Sequence, residues 1–243
     1  MEDLEANNIF SYLYVTDYLT STTCDFGVKM KQILLNEGFH RNITYEILFQ
    51  DNTQIENWLY SCIIGLDQPI PSGVYVNPDE LGDLRRTNRM NAFPKNKVNV
   101  ELVAAQASSS SVYVIGKVIE NKLHLWIPIH ARYHHAIVGG GMVRNEISPP
   151  KLYIRCIDDR LSMCKDVPVP DGSLFCSNDK ENCDWLQMPY NLLTKSIVWE
   201  VPVGNLDHYY IAAVGTTMVI IVGSLYILKI IHEYKTKDFK KLR

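Results

Sequence analysis

From Tyr209 to Leu228 the chain reads YYIAAVGTTMVIIVGSLYIL, a run whose only ionisable side chains are tyrosines. Extended through Ile231 as a helix it covers about 34 Å, at roughly 1.5 Å per residue. That length fits a hydrocarbon core of about 30 Å with some tilt. Lys229 falls inside the range, and its long stem can snorkel to the interface. The circumference is apolar all round, unlike the one-sided stripe of a helix lying on a soluble core. Tyr209 and Tyr210 stand where an interfacial aromatic belt belongs. Ala212/Thr216 and Ala213/Thr217 have the small-xxx-small spacing that lets membrane helices approach, although simple lipid exposure accounts for them equally well. The sequence predicts one membrane helix at 209–231.

Charge gives the orientation. The chain of 243 residues has a net charge of −3, but from Lys229 onward six Lys/Arg oppose two Asp/Glu, so the residues before that point carry −7. An acidic body argues against nucleic acid as partner, because phosphate binding needs a basic surface. Glu200, Asp207 and His208 precede the apolar run. Lys229, Lys235, Lys237, Lys240, Lys241 and Arg243 end or follow it, and Lys/Arg-rich flanks stay in the cytosol. The expected layout is a lumenal domain at 1–208, the span at 209–231, and a basic cytosolic tail at 232–243. Lys240 and Lys241 stand where a dilysine signal retrieves type I membrane proteins to the endoplasmic reticulum.

Two further features favour a lumenal body. Asn42-Ile43-Thr44 is an N-glycosylation sequon. All six cysteines (Cys24, Cys62, Cys156, Cys164, Cys176 and Cys183) lie in the body. An even count in an oxidising compartment implies up to three disulfides with about fifteen possible connectivities, among them two local bridges within the last four. The cysteine spacing fits no common zinc pattern. The start, MEDLEANNIFSY, has neither a basic n-region nor an apolar h-region. A lumenal body needs a leader, so the start is read as missing, alternative or misassigned. Taken literally, the chain would be tail-anchored with its body in the cytosol, which the sequon, the cysteines and the basic tail oppose.

The body reads as mostly β. Asn42–Phe49 alternates, with Ile43, Tyr45 and Ile47 on one face. Ser111–Ile119 and Lys122–Ile129 read as a hairpin turning at Glu120-Asn121, with Leu123, Leu125 and Ile127 on one face. Lys151–Cys156 and Ser196–Val203 are further strands. Short strands separated by turns suggest a β-sandwich with few short helices. One helix is signalled by Asn77-Pro78-Asp79-Glu80, with Pro near N1, acids in the first turn, and Arg85-Arg86 at the other end. Val28–Glu37 is open between helix and strand. Loops are expected around Pro94–Lys97, Gly139–Gly141 and Cys164–Cys183.

Candidate chemistry is sparse. His130, His134 and His135 invite a metal hypothesis, but Pro128 and the alternation before it favour a strand. His130 and His134 would then stand about 13 Å apart, at roughly 3.3 Å per residue, too far to share an ion. They are read as surface or hydrogen-bonded histidines, and no metal or cofactor is expected. Asp158-Asp159 resembles a carboxylate pair, yet neighbours on a strand face opposite ways, and a solvated turn fits better. No nucleophile elbow, P-loop or dinucleotide fingerprint occurs.

Several stretches, in order, carry a family resemblance. Gly38-Phe39-His40-Arg41 stands before a strand, and Pro71-Ser72-Gly73-Val74-Tyr75-Val76-Asn77-Pro78-Asp79-Glu80-Leu81 follows. Ile127-Pro128-Ile129-His130-Ala131-Arg132-Tyr133-His134 is the most specific stretch. Pro149-Pro150-Lys151-Leu152 leads to Cys156, and Cys183-Asp184-Trp185 precedes Val201-Pro202-Val203-Gly204 at the membrane run. Together, over roughly Thr23 to Ile231, they resemble the PIG-X family, accessory subunits of glycosylphosphatidylinositol (GPI) mannosyltransferase I. The resemblance implies a non-catalytic subunit that stabilises a multispan catalytic partner, PIG-M, in the endoplasmic reticulum membrane. The complex would transfer the first mannose from dolichol-phosphate-mannose to the GPI precursor. Pro128, His130, Arg132, Tyr133 and His134 are the expected partner contact, with a purely structural role for them weighed equally. A lumenal chaperone-like or cargo-receptor protein for other clients is the alternative function.

Overall fold

The computed structural model describes residues 26–50, 59, 61–156, 161, 175 and 185–241, with side chains up to 235. Twelve strands in this part of the chain form two five-stranded sheets and a two-stranded ribbon. The first sheet runs β11 (Asn191–Leu192), β1 (Lys29–Leu35), β2 (His40–Leu48), β7 (Lys122–Ala131), β4 (Val74–Tyr75). The second runs β10 (Leu186–Met188), β9 (Lys151–Cys156), β3 (Cys62–Ile70), β6 (Ser110–Lys117), β5 (Asn91–Pro94). The ribbon pairs β8 (Gly141–Ile147) with β12 (Ile197–Val203). Every pairing is antiparallel except the short one between β1 and β11.

The two large sheets face each other across one apolar core. Met30, Ile43, Tyr45, Ile47, Ile127 and Ile129 come from the first sheet. Ile64, Leu66, Val112, Val114, Leu152 and Ile154 come from the second. The period-two alternation of β2 and β7 follows directly, since alternate side chains point to opposite faces. Val28–Glu37, open in the sequence, contains the strand β1.

One polar network crosses this core. Gln68 Oε1 accepts from Gln32 Nε2 at 2.9 Å and from the Tyr45 hydroxyl at 2.7 Å. Gln68 Nε2 donates to the carbonyls of Pro69 and Ser148 at 2.7 and 2.9 Å. Burial without such partners would cost each of these groups several kcal/mol. The network therefore fixes how β1 and β2 sit over β3. Burial pushes the Tyr45 hydroxyl pKa well above its ordinary value, against a smaller opposing effect from its hydrogen bonding with Gln32.

The outer face of the second sheet is also covered. Tyr113, Tyr153, Phe175 and Trp185 form a separate aromatic cluster there, with Phe175 4.6 Å from Trp185 and 4.4 Å from Tyr113 between ring centroids. Gly65 of β3 lies beneath them, where a Cβ would come within 2.8 Å of Phe175 Cζ. Burial pushes the Tyr153 hydroxyl up to about 12.

The expected hairpin between Ser111–Ile119 and Lys122–Ile129 forms only at its tip. Ile119 and Lys122 exchange two backbone hydrogen bonds of 2.9 Å around Glu120 and Asn121, which both have positive φ. That is the conformation of a two-residue hairpin turn. Beyond it the strands part: β6 pairs with β3 and β5, β7 with β2 and β4. Both strands present apolar side chains to the same core, so they act as facing layers rather than as neighbours in one sheet. The turn is a corner joining the sheets.

The cysteine pattern also resolves differently from two local bridges within the last four. Cys156 is joined to Cys62, its register partner on β3, across a Cα–Cα distance of 4.0 Å. The link staples two adjacent strands and closes a long loop, with a sequence separation of 94. Cys24, Cys164, Cys176 and Cys183 lie outside the described residues, as does Asp158-Asp159.

Helix α1 (Pro78–Arg86) forms where its caps predict. The Asn77 side chain accepts from the Asp79 amide, Pro78 opens the first turn, Asp79 and Glu80 face the positive helix end, and Arg85 and Arg86 the negative one. Leu81 anchors it in the core. The second helix, α2 (Tyr209–Lys241), is long and apolar enough to cross a membrane, and the window that qualifies has no part buried against the rest of the protein. It continues beyond the expected 231 through the basic segment. Its two threonine hydroxyls in the apolar run are internally satisfied: Thr216 and Thr217 donate to the carbonyls of Ala212 and Ala213 at 2.6 and 2.8 Å. A single 3-10 turn, Leu206–His208, joins β12 to α2. This turn is held by the β7–β8 loop: Ile137 N donates to Gly204 O, Leu206 N to Ile137 O, and Gly139 N to the Asp207 carboxylate.

Candidate functional site

Three segments far apart in sequence meet at one end of the first sheet. His40 on β2, His130 on β7 and Tyr75 on β4 are successive register partners. Cross-strand partners on one face lie side by side, and here the rings stack. The His40 and His130 centroids are 4.3 Å apart at 17°, and those of His130 and Tyr75 are 5.1 Å apart at 23°. Glu80, in the first turn of α1, reaches over both imidazoles. Its Oε2 lies 2.8 Å from His130 Nε2 and its Oε1 3.3 Å from His40 Nε2. One carboxylate thus bridges two strands to the helix. Exposure of these side chains falls from 55% for His40 to 28% for Glu80 and 21% for His130, so the cluster opens to solvent on the His40 side.

Backbone bonds lock the same segments together. Ala131 N donates to Phe39 O, and Arg132 N to Gly73 O. Gly73 has no room for a side chain, since a Cβ would fall 1.8 Å from Asn145 Oδ1. Asn145 in turn lies 3.4 Å from His134 Nε2 and donates toward Trp199 O.

The residues singled out in the sequence divide by burial. Pro128 is buried in the middle of the sheet. Arg132 is buried as well: its Nη1 donates to Leu102 O at 2.7 Å, and its guanidinium lies 4.8 Å from the Tyr75 ring centroid. Burial pushes the Arg132 pKa down, an effect partly offset by Tyr75. It pushes the Tyr75 hydroxyl up, with Arg132 opposing. His134 is half-buried, and burial holds its pKa below the ordinary imidazole value. Tyr133 alone of the five stands fully in solvent, 78% exposed, with Phe39 beside it at 6.2 Å. Asn42 is half-buried between Leu35 of β1 and Pro128 of β7. Lys240 and Lys241 end α2.

Sequence spacing kept His130 apart from His134, and among the described residues the groups gathered around His130 are indeed different ones, His40 and Glu80. They come from other elements, and only the β2–β7 register and the placement of α1 reveal them. The available signal was indirect: the three stretches that meet here, containing Phe39-His40, Tyr75 to Glu80, and His130-Ala131-Arg132, are stretches that carry the family resemblance.

The family model described as PIG-X / PBN1 matches residues 36–232. The chain belongs to the PIG-X / PBN1 family. The match covers the second sheet, all of the first sheet but β1, the cluster and most of α2. A human protein named "GPI alpha-1,4-mannosyltransferase I, stabilizing subunit" is 26% identical over 227 residues, 88% of this chain and 86% of its own length. Rat and mouse proteins of the same name are each 26% identical over 217 residues, 87% of this chain and 84% of theirs. As a member of the PIG-X / PBN1 family, the chain combines a strand-rich body with one apolar C-terminal helix.

Proposed function

We propose that this chain is the non-catalytic stabilising subunit of a GPI mannosyltransferase I. The carrying observation is the PIG-X / PBN1 match together with relatives named as that stabilising subunit, aligned over nearly their whole length. Its partner is a multispan catalytic mannosyltransferase of the PIG-M type. Their joint reaction moves the first mannose from dolichol-phosphate-mannose to glucosaminyl-phosphatidylinositol in the endoplasmic reticulum membrane. The body, 1–208, lies on the lumenal side, 209–231 spans, and the basic tail faces the cytosol. Support for that orientation comes from the Lys/Arg flank after the apolar run. The Cys62–Cys156 disulfide, a bond of oxidising compartments, agrees with it. The Asn42 sequon is the site that would carry a glycan.

Stabilisation needs no chemistry at the reacting centre. A subunit that binds only the folded partner raises its folded fraction by mass action. A shared membrane supplies a high effective concentration for the encounter. The contact is assigned to the exposed aromatic pair Tyr133 and Phe39, because exposed aromatics are the usual anchors of interfaces. Pro128, His130, Arg132 and His134, all less exposed in the same segment, take a structural role in this reading.

Depletion of the protein in its own cells tests this. The level of the catalytic subunit and the surface GPI-anchored proteins should fall together and be restored by rescue with a lumenally targeted form. Rescue with Tyr133→Ala should leave the body folded while the catalytic subunit stays low. A catalytic subunit that persists while GPI-anchored proteins disappear would refute the stabilising role in favour of direct action on substrate.

A further inference from the structure

We propose that His40, Glu80 and His130 form a binding site for one zinc-type divalent transition-metal ion, with its remaining position open to solvent. The proposal does not rest on the accessory-subunit reading. Two imidazole nitrogens and one carboxylate offer ligand atoms that all lie within 4.8 Å of one another. Two nitrogens with a single oxygen suit zinc, whereas magnesium and calcium prefer all-oxygen shells. Two histidines, one glutamate and an open position is a recurrent protein zinc set.

The distances are close to those a bound ion requires. Bonds of about 2.0–2.2 Å in a tetrahedral arrangement put ligand atoms roughly 3.3 Å apart. The two nitrogen–oxygen separations are 2.8 Å, to Oε2, and 3.3 Å, to Oε1, so the carboxylate already sets one oxygen beside each nitrogen, and a small turn of the Glu80 carboxylate would bring one oxygen to a shared ion. Each imidazole would coordinate through Nε2 as the neutral tautomer protonated on Nδ1. The imidazoles need an adjustment too, because near-parallel rings do not aim their in-plane lone pairs at one point. His40 is the ring free to turn, being over half exposed, whereas His130 is sandwiched between His40 and Tyr75. The ligand backbones are fixed independently of any ion: two by antiparallel register, the third by a capped helix anchored at Leu81. A bound ion would clip α1 onto the β2–β7 pair beside the exposed Tyr133.

Without a metal the same geometry is a hydrogen-bonded His–Glu–His brace, and titration separates the two. The full-length protein, free of any histidine tag, is purified in detergent, stripped with chelator and titrated with Co²⁺ as the probe. The expected result is visible absorption of four-coordinate Co²⁺ saturating at one equivalent, displaced by Zn²⁺, with a higher thermal midpoint when Zn²⁺ is present. His40→Ala and Glu80→Gln are each expected to weaken Co²⁺ binding by at least about tenfold, since even outer-shell partners of a metal site contribute about that much. Both should abolish the Zn²⁺-dependent shift. His40→Ala removes an exposed side chain, so its own metal-free midpoint should stay near that of the parent protein. Absence of a one-equivalent Co²⁺ spectrum overturns the proposal. So does binding that is unchanged in both variants, which would place the ion elsewhere in the chain.

Discussion

Removing the Cys62–Cys156 bridge should weaken the fold by several kcal/mol, and the topology sets the size of the effect. The cysteines are separated by 94 residues and enclose β4 to β8 and α1. The loop-closure relation gives an entropy loss of about 16 cal/mol/K in the unfolded chain for a loop of that length, or about 4.7 kcal/mol at 25 °C. For a domain of this size such a loss lowers the thermal midpoint by roughly 10–18 °C. The perturbation is the double variant Cys62→Ala/Cys156→Ala in the full-length protein, compared with the parent protein fully reduced. Reduction preserves the packing volume of the sulfurs, whereas the variant acts on this bridge specifically. Trp185 and Trp199 are both buried, so their fluorescence reports unfolding of the two faces. A midpoint lowered by less than about 3 °C in both samples would refute the reasoning. It would mean that the unfolded chain is already so compact that the cross-link excludes few conformations.

Other outcomes follow from buried groups. Gln68→Leu leaves the Tyr45 hydroxyl and Gln32 amide without their acceptor and two carbonyls without their donor. Its expected cost is on the order of 3 kcal/mol in denaturant titration, and a neutral result would show that the three elements are not tied there. Tyr45 and Tyr153 have folded-state pKa values raised by burial, to about 12 for Tyr153. Their neutral forms are favoured by folding, so that stability is fully present below about pH 10. It should decline as pH rises from there toward 12, and Tyr153→Phe should lessen the decline measured by alkaline unfolding. Gly73→Ala drives a methyl into Asn145 and should cost about 1–3 kcal/mol. Asn145→Ala in the same chain should recover part of that loss.

The outline of the fold was legible wherever one signal dominated. β2 and β7 alternate because one face of each is buried. α1 carries its own caps, and the 209–228 run of α2 is apolar on every side. β3 escaped notice although it is the central strand of its sheet. It is covered on both faces, by the main core and by the aromatic cluster, so it does not alternate. Gly65, Asp67 and Pro69 also make it look broken. Pro69 is tolerated because the pairing with β9 ends at Asp67. The corner at Glu120-Asn121 was legible as a turn, but its sequence carries no statement of which sheet each strand joins. The His40–Glu80–His130 cluster was illegible for the same reason: register and crossover bring it together, and neither is written in local spacing.

The tether between body and anchor has a mechanical consequence. Only Gly204 to His208 separates β12 from α2, and three hydrogen bonds from the β7–β8 loop pin that stretch. With α2 seated in a bilayer, the body cannot swing as a ball on a string. Its height and its facing direction are inherited from the helix, and a tilt of the helix tilts the sheets. Val138, Met142 and Leu206, all exposed, would then ride at headgroup depth like a keel. The aromatic pair Phe39 and Tyr133 would sweep a single circle as the helix spins about its axis. A partner confined to the same membrane would meet it by lateral drift and rotation alone.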